Sequence, residues 1–502
     1  MENQNNKGSE RERLQDQVRL RQNKLAQIRA LGVDPFGGRF ERSHQAAAVA
    51  DAGPLLESEK TKVRMAGRLV HIRDHGSTTF GVLRDQTGEI QIDFSQDEVS
   101  ETAWKLLKLL DAGDSIGILG TVHTAHTGEV TVQVQSVELL AKALRPFPEV
   151  WNGLSSGEAA YGKRYADFLA HPEKRDDFQK RALMLGAVRK RLGDADFLEV
   201  ETPMLRTFHG DADTRPFETH LHALDLSLYL RTAPEFDLKR LVIGGFERVF
   251  ELGRNFQNQG MDSRHSPELT SLTAYQAYGD MEDVIDQVRD ICAACAKAVH
   301  GRLQFLHQGV VLDLSPSAWT RMTMAEAVKK YTGADFDKAR NLEEARRLAD
   351  NLKAAYDKHD TFGRILARCF DAFVKDKLVQ PTIITHYPVE VSPLARKCSE
   401  APMFTDRFEA YIYGMELARG FSELNDPMGQ RQRFEMRAEE QGCGDMSAMQ
   451  VDEDFLRALE YGLPPTAGLA VHIDRLAMIL LGKTDVRDVL LFPLVEMVEK
   501  DS

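Results

Sequence analysis

The 502-residue sequence predicts an α+β protein in which a small five-stranded barrel precedes a larger domain of mixed helices and strands. Two observations carry this expectation. Between Lys62 and Leu144 short segments alternate apolar and polar residues, with turn signals between them. Beyond residue 170, helix-spaced apolar faces and strand-like segments follow one another without an internal repeat. A chain of this length exceeds one compact core, so several domains are expected.

In chain order, residues 1–60 read as a helical, partly basic extension. Lys7, Arg11, Arg13, Arg19, Arg21, Lys24 and Arg29 concentrate there, while Leu14, Val18, Leu25 and Ile28 recur at helical spacing. The plain alternative to nucleic-acid contact is a solvated surface helix. Residues 61–145 hold the barrel: VRMAGRLVHIRD, TTFGVLRD, EIQIDF, DSIGILGTVHTA and EVTVQVQSVELL alternate, QTG and HTG mark tight turns, and SETAWKLLKLLDAG reads as a helical insert. This pattern suits an oligonucleotide-binding (OB) barrel, which stacks single-stranded bases on exposed aromatics. Phe80 is the candidate platform, with core packing as the alternative, and Arg73 and Gln91 are placed to reach a base edge.

Pro146 and Pro148 in ALRPFPE open a stiff linker over 146–170. The domain 171–502 begins with a helix opened by Pro172, with Phe178, Ala182, Leu185, Val188 and Leu192 on one face, and then the strand-like FLEVETPM. Residues 325–375 are helix-rich and charged, an inserted helical subdomain.

Composition excludes several classes. No apolar run reaches the roughly 20 residues that span a bilayer, so no membrane role is expected, and the polar start MENQNNKGSERER lacks the apolar core of a secretory signal. Five cysteines are too few for a disulfide framework, which points to a reducing, cytoplasmic setting. Cys292 and Cys295 form a C-x-x-C inside an apparent helix with no second pair at zinc spacing, so they read as packing residues. A net charge of −13 argues against a surface coated in cations, though not against a local basic patch.

Three segments carry more specific chemistry. FLEVETPM (197–204), RVFELGRNFQNQGMDSRHSPELTSLTAY (248–275) and TAGLAVHIDRLAMIL (466–480) resemble, in order and spacing, the three signature motifs of the class II aminoacyl-tRNA synthetases. RPFETH, APE, LKRLVIGGFERVFE, GFSELND and RDVLLFP look like the lysyl branch, and the resemblance runs from about residue 62 to the C-terminus. It implies a catalytic domain built on an antiparallel sheet with flanking helices. It also implies lysine, ATP and tRNA as substrates, Mg²⁺ as cofactor, and a homodimer formed through the first motif.

Residue chemistry is consistent with that resemblance. An arginine at a strand end holds a phosphoryl group bidentately, and Arg254 is the expected α-phosphate contact. The resemblance puts His265 near the γ-phosphate. Asp474 reads as the N-cap of a helix whose first turn presents Arg475 to the terminal phosphates. Glu409 and Glu416 flank a turn at Tyr413 and Gly414, so they can approach across a hairpin and share Mg²⁺, a hard cation that prefers carboxylate and phosphate oxygens. Glu235, Tyr275 and Glu423 are carried over as the amino-acid pocket, where buried acids demand a cationic partner.

Departures from the family pattern cluster in the substrate sites. Two glycines are Gly210 and Asp211 here, an asparagine is Arg419, and a glutamate is Thr273. On the nucleotide side the adenine-contacting glutamate is Gln259, a stacking phenylalanine is Leu269, and two glycines are Ala470 and His472. Asp211 and Arg419 are expected to form a compensating ion pair at the amino-acid pocket. Two other readings stay open: a paralogue that uses another cationic amino acid or another acceptor, and a tRNA-binding regulatory protein with an idle ligase domain.

Overall fold

The computed structural model describes residues 2–125, 127–146, 161–208, 216–441 and 452–495. The chain divides into two compact units, 1–155 with 165–170 and 156–164 with 171–502.

The first unit begins with helices α1 (Glu2–Ala30) and α2 (Ala46–Ser58). Strands β1 (Lys62–Asp74), β2 (Thr78–Arg84), β3 (Glu89–Ser95), β4 (Ser115–Thr124) and β5 (Val130–Ala141) close a barrel in the order β1-β2-β3-β5-β4. Alternation decides the faces: Ile90, Ile92 and Phe94 of β3 are buried, and Glu89, Gln91 and Asp93 turn outward. The expected insert is α3 (Glu101–Leu107), capped by the Ser100 hydroxyl, and it adds Leu106 and Leu107 to the core. Ile28, Val49 and Leu56 join the same core, so the N-terminal helices are part of this unit. Two of the basic side chains are used in that docking: Arg21 donates to the carbonyls of Ala112 and Ala143 at 3.0 Å, and Lys24 lies 2.6 Å from Asp111.

The second unit contains α4 (Lys174–Gly193), β6 (Leu198–Glu199), β7 (Leu205–Arg206), β8 (Glu218–Leu221), β9 (Leu226–Leu230), α5 (Glu235–Ile243), β10 (Arg248–Phe256), β11 (Glu268–Ala277) and α6 (Met281–His300). After these come β12 (Gln304–His307), β13 (Val310–Asp313), β14 (Thr320–Thr323), helices α7 (Met324–Thr332), α8 (Leu342–Leu352) and α9 (Phe362–Phe373), and β15 (Thr382–Pro388). The unit ends with β16 (Phe404–Ile412), β17 (Met415–Ser422), α10 (Pro427–Gln441), α11 (Glu453–Glu460), β18 (Thr466–His472) and α12 (Ile473–Leu481).

Eight strands form one sheet in the order β14-β15-β16-β17-β18-β11-β10-β6, with its six central strands antiparallel and a parallel strand at each edge. One face carries Phe250, Leu272, Ala274, Leu469 and Val471 into a core with Val188 and Leu192 of α4 and Ile285, Val288 and Ile291 of α6. On that face α6 also buries Cys292 and Cys295, whose thiols burial pushes up, as packing residues. The helices α7 to α9 fall inside the expected 325–375 insertion and build a core of their own from Val328, Ile365 and Phe370, against Tyr387 and Tyr411 of the sheet.

Two expectations change. The helix expected from Pro172 starts at Lys174 with Glu173 at its N-cap. FLEVETPM contributes just two strand residues, paired parallel with Val249 and Phe250. Beyond them Thr202 turns its hydroxyl to Glu251, and Arg231, fully buried, bridges Glu251 at 2.6 Å and the Thr202 oxygens. Among the described residues no helix is long and apolar enough to cross a membrane.

Candidate active site

The face of the sheet opposite α4 and α6 carries the chemistry. At one end Glu235 opens α5 directly after Pro234, and Lys239 follows one helical turn later on the same side. The Lys239 ammonium lies 2.8 Å from Glu235 Oε1 and 2.6 Å from Glu423 Oε2, just past the end of β17. The rings of Phe236, Tyr275, Phe421 and Phe455 each stand 5.7 Å from that ammonium.

Two buried carboxylates therefore share one cation. Burial works against the Lys239 charge, but Glu235 and Glu423 outweigh it and hold the ammonium above its ordinary range. Glu235 also resists its burial: Lys239, Arg419 and a hydrogen bond from Tyr275 keep it below its usual value. Glu423 is left with the deficit. Burial and the charge of Glu235 outweigh Lys239, and its carboxyl is pushed up to about 8. Its Oε1 is buried without a hydrogen-bond partner. Gly468 of β18 lets Tyr275 and Glu423 pack directly on its backbone, because a Cβ there would lie 2.3 Å from the Tyr275 ring and 2.8 Å from Oε1. A second cation arriving beside Tyr275 would favour loss of that carboxyl's proton and pair with the charge left behind.

At the other end, Arg475 emerges from the first turn of α12, donates from Nη1 to the Glu416 carbonyl at 2.7 Å, and places Nη2 3.1 Å from His265 Nε2. Asp262 accepts from His265 Nδ1 at 2.8 Å, which leaves Nε2 as the acceptor facing Arg475. His472 stands beside them. Burial and the charges of Arg475 and Arg419 hold it well below its ordinary range, so it is neutral at pH 7. Gln257, His265, Leu269, His472 and Arg475 line a cavity of about 30 Å³, room for a water or two.

The turn of the β16–β17 hairpin lies at this end, and β17 runs from it toward Glu423 at the other. Tyr413 and Gly414 take φ of 51° and 70°, the paired left-handed conformation of a two-residue turn. Glu409 pairs with Arg419, yet Tyr411 pairs with Glu416, so Leu417 is an extra residue in β17. Strict alternation would send Glu416 to the far face, and the bulge returns it to the side of Glu409. Glu409 Oε1 accepts from Arg407 at 2.5 Å, while Oε2 accepts from the hydroxyls of Tyr387, at 2.8 Å, and Tyr411. Nearby, Lys375 is paired with Asp371 at 2.6 Å, and although burial opposes its charge, Asp371, Glu409 and Glu416 together hold it above its usual range.

These carboxylates suit a cation shared with a polyphosphate. Glu416 has Arg475 and His472 at 3.9 Å, beyond hydrogen-bond reach, and Glu409 has three donors for about four acceptor positions. Among the described residues no three His, Cys, Asp or Glu side chains gather into a metal cage. Such a half-built site is what Mg²⁺ accepts, since it keeps waters and phosphate oxygens among its ligands.

Several expected positions move. Arg254 is not in this cluster: it shares the helix-covered face with Phe250 and Leu252, lies 3.4 Å from Glu268, and lines a separate cavity with Phe178, Arg181 and Phe492. Three residues on, strand parity brings Gln257 to the phosphate end instead. Gln259 is exposed in the loop, off that lining, whereas Leu269 is part of it. Asp474 is not the cap of α12. His472 holds that position, and Asp474 accepts from Thr270 N at 2.7 Å and from Arg181 at 2.5 Å. Asp211 lies outside the described residues, so its expected pairing with Arg419 does too. The sequence does not single out Lys239, whose i,i+4 spacing from Glu235 is common on solvated helices, nor Gln257, Arg407, Tyr387, Tyr411 and Lys375.

On the barrel, Arg73, Phe80 and Asp93 form a cross-strand row on the outer face, with Gln91 two residues from Asp93 on the same side. Phe80 is 38% exposed and meets His75 edge-on at 5.8 Å. Gln91 accepts from the Thr131 hydroxyl at 2.7 Å, which leaves its amide nitrogen for another partner.

Comparison with known proteins agrees with both units. Residues 156–496 match the family described as tRNA synthetases class II (D, K and N), and residues 63–140 match the OB-fold nucleic acid binding domain. A lysine–tRNA ligase of Latilactobacillus sakei is 45% identical over 96% of both chains. Those of Moorella thermoacetica (45% identical over 95% of this chain and 97% of its own) and Pelotomaculum thermopropionicum (43% over 97% and 96%) match over similar spans. With the three motifs assembled on one largely antiparallel sheet and an OB barrel ahead of them in the chain, the chain belongs to the lysine–tRNA ligase family of class II tRNA synthetases.

Proposed function

We propose that this chain activates lysine with ATP and transfers it to tRNA. The observation that supports the reading best is the Glu423 carboxyl: buried beside Tyr275, sharing the one Lys239 ammonium with Glu235, and with Oε1 lacking a hydrogen-bond partner. An ammonium supplies what it lacks, whereas an aspartate or asparagine side chain would leave it uncompensated.

A carboxylate oxygen of lysine attacks the α-phosphorus of ATP. The bond from that phosphorus to the oxygen bridging toward the β-phosphate breaks, giving lysyl-adenylate and pyrophosphate. A ribose hydroxyl at the tRNA end then attacks the adenylate carbonyl, and AMP leaves as the hydroxyl proton is released. The reaction asks for positioning and charge stabilisation, with no covalent enzyme intermediate. Arg475 and His265 hold the terminal phosphates, and Glu409 and Glu416 would hold Mg²⁺ against them. When bound, that ion supplies charge neutralisation on the triphosphate. Phe80, Arg73 and Gln91 read the anticodon.

A homodimer through the first motif is supported by the exposure of Leu198 and Met204 in it and of Leu205 just after it. A reducing, cytoplasmic setting suits the free thiols of Cys292, Cys295, Cys369 and Cys398.

One observation favours a second reading, a tRNA-binding protein with an idle ligase domain: the cavity at His265 and Arg475 is small, and His472 and Leu269 stand in its wall. Charging of a tRNA(Lys) transcript with labelled amino acids separates the readings. Lysine incorporation supports the first, and tRNA retention without charging by any cationic amino acid supports the second.

A further inference from the structure

The reaction needs a guanidinium or its equivalent where the amino-acid carboxylate meets the α-phosphate, and Arg254 lies on the wrong face to provide it. Register identifies a replacement. Glu251, Thr273, Ala470, Arg419 and Glu409 face one another across β10, β11, β18, β17 and β16, a single row over the middle of the sheet. In that row Arg419 is flanked by the small Ala470, with Thr273 beyond it, and although it sits on a central strand its side chain is exposed. It therefore projects from the middle of that face toward solvent.

Two neighbourhoods place it between the half-sites. Its charge acts on Glu235 and Tyr275 at the ammonium end and on His472 at the phosphate end. Of the other arginines on this face, Arg231 is turned to Glu251, Thr202 and the Arg254 carbonyl at one end of the row, and Arg407 to Glu409, Ser392 and the Val391 carbonyl at the other; like them, Arg419 has partners within the chain, and its place in the middle of the row is what distinguishes it. Arg475 stands at the far end with His265.

We infer that Arg419 is a catalytic residue of this chain, its guanidinium holding the carboxylate of the incoming amino acid and the α-phosphoryl group together as the new oxygen–phosphorus bond forms. The inference rests on the ligase reading above. A planar fork suits this task because it can donate to a carboxylate oxygen and a phosphoryl oxygen at once. The family's asparagine at this position has no charge to offer the developing phosphorane, so the exchange of residue changes the chemistry available here.

The test uses the full chain and two readouts: lysine-dependent ATP–pyrophosphate exchange, and calorimetric binding of lysyl-sulfamoyl-adenosine, an unreactive mimic of the adenylate. Arg419→Asn and Arg419→Lys should lower kcat for exchange by about 100-fold or more and weaken the mimic at least tenfold. Lysine KM should move less than fivefold, and the melting temperature should hold, because the side chain is exposed. Arg254→Gln should stay within about threefold of the parent in both assays. A parent-like rate for Arg419→Asn, or an equal loss in Arg254→Gln, overturns the assignment. If the unaltered chain neither exchanges nor binds the mimic, the ligase reading itself falls, and the role of Arg419 falls with it.

Discussion

Lysine binding should release a proton and tighten with pH, because the carboxylate that receives the ammonium is held protonated in the empty pocket. Glu423 titrates at about 8, so roughly 1 in 100 molecules carries it ionised at pH 6, about 1 in 10 at pH 7 and half at pH 8. Apparent affinity scales with the competent fraction, and lysine should tighten roughly 50-fold from pH 6 to 8, about fivefold of it above pH 7. The neighbours hold their charge through this window: Lys239 is raised, Tyr275 is raised well above its usual value, Glu235 is lowered, and Arg419 is a guanidinium.

Calorimetry in two buffers of different ionisation enthalpy measures the effect directly, with close to one proton released per lysine at pH 7 and almost none at pH 9. Glu423→Gln should abolish the pH dependence and weaken lysine by at least about 2 kcal/mol. The same group shapes stability. Between its ordinary value and about 8 the folded chain binds the proton that the unfolded chain has lost, so stability falls as pH rises through that window, and Glu423→Gln should remove that slope. Lysine affinity that is flat from pH 6 to 8, with no proton released, would refute the argument.

Other consequences concern separate parts of the cleft and the barrel. Gly468→Ala puts a Cβ 2.3 Å from the Tyr275 ring and 2.8 Å from Glu423 Oε1, so lysine KM should rise roughly 10- to 100-fold, while ATP binding, measured separately, stays unchanged. Arg475→Gln removes the donor proposed for the terminal phosphates and leaves His265 without that partner; exchange kcat should drop at least about 100-fold. Phe80→Ala should weaken tRNA by about 1–3 kcal/mol in a filter-binding assay without touching pyrophosphate exchange, since it acts on the barrel alone.

Much of this architecture is legible in local pattern, because alternation is a strong signal wherever one face is buried. The β3 run EIQIDF shows its inward Ile90, Ile92 and Phe94 in the sequence itself. Site geometry depends on parity, which is less forgiving. Arg254 lies on β10 and Gln257 one residue past its end, three positions on and lining the other cavity, and choosing the arginine by its chemistry chose the wrong side of the sheet. Glu416 reaches Glu409 only because Leu417 is an extra residue, and no local signal announces that bulge. FLEVETPM has strand-like residues, but β6 is an edge whose pairing ends after two of them. Lys239 was hidden by its ordinariness: a Glu–Lys pair at i,i+4 is usually a solvated helix face, and burial among Phe236, Tyr275, Phe421 and Phe455 makes it part of the pocket.

The most direct trial of the account is ATP–pyrophosphate exchange by the unaltered chain across a panel of amino acids, with and without Mg²⁺. A pocket that ends in one uncompensated carboxylate predicts Mg²⁺-dependent exchange with lysine, and at most feeble exchange with aspartate, asparagine or the neutral isostere norleucine. Exchange driven as well by norleucine as by lysine would contradict it.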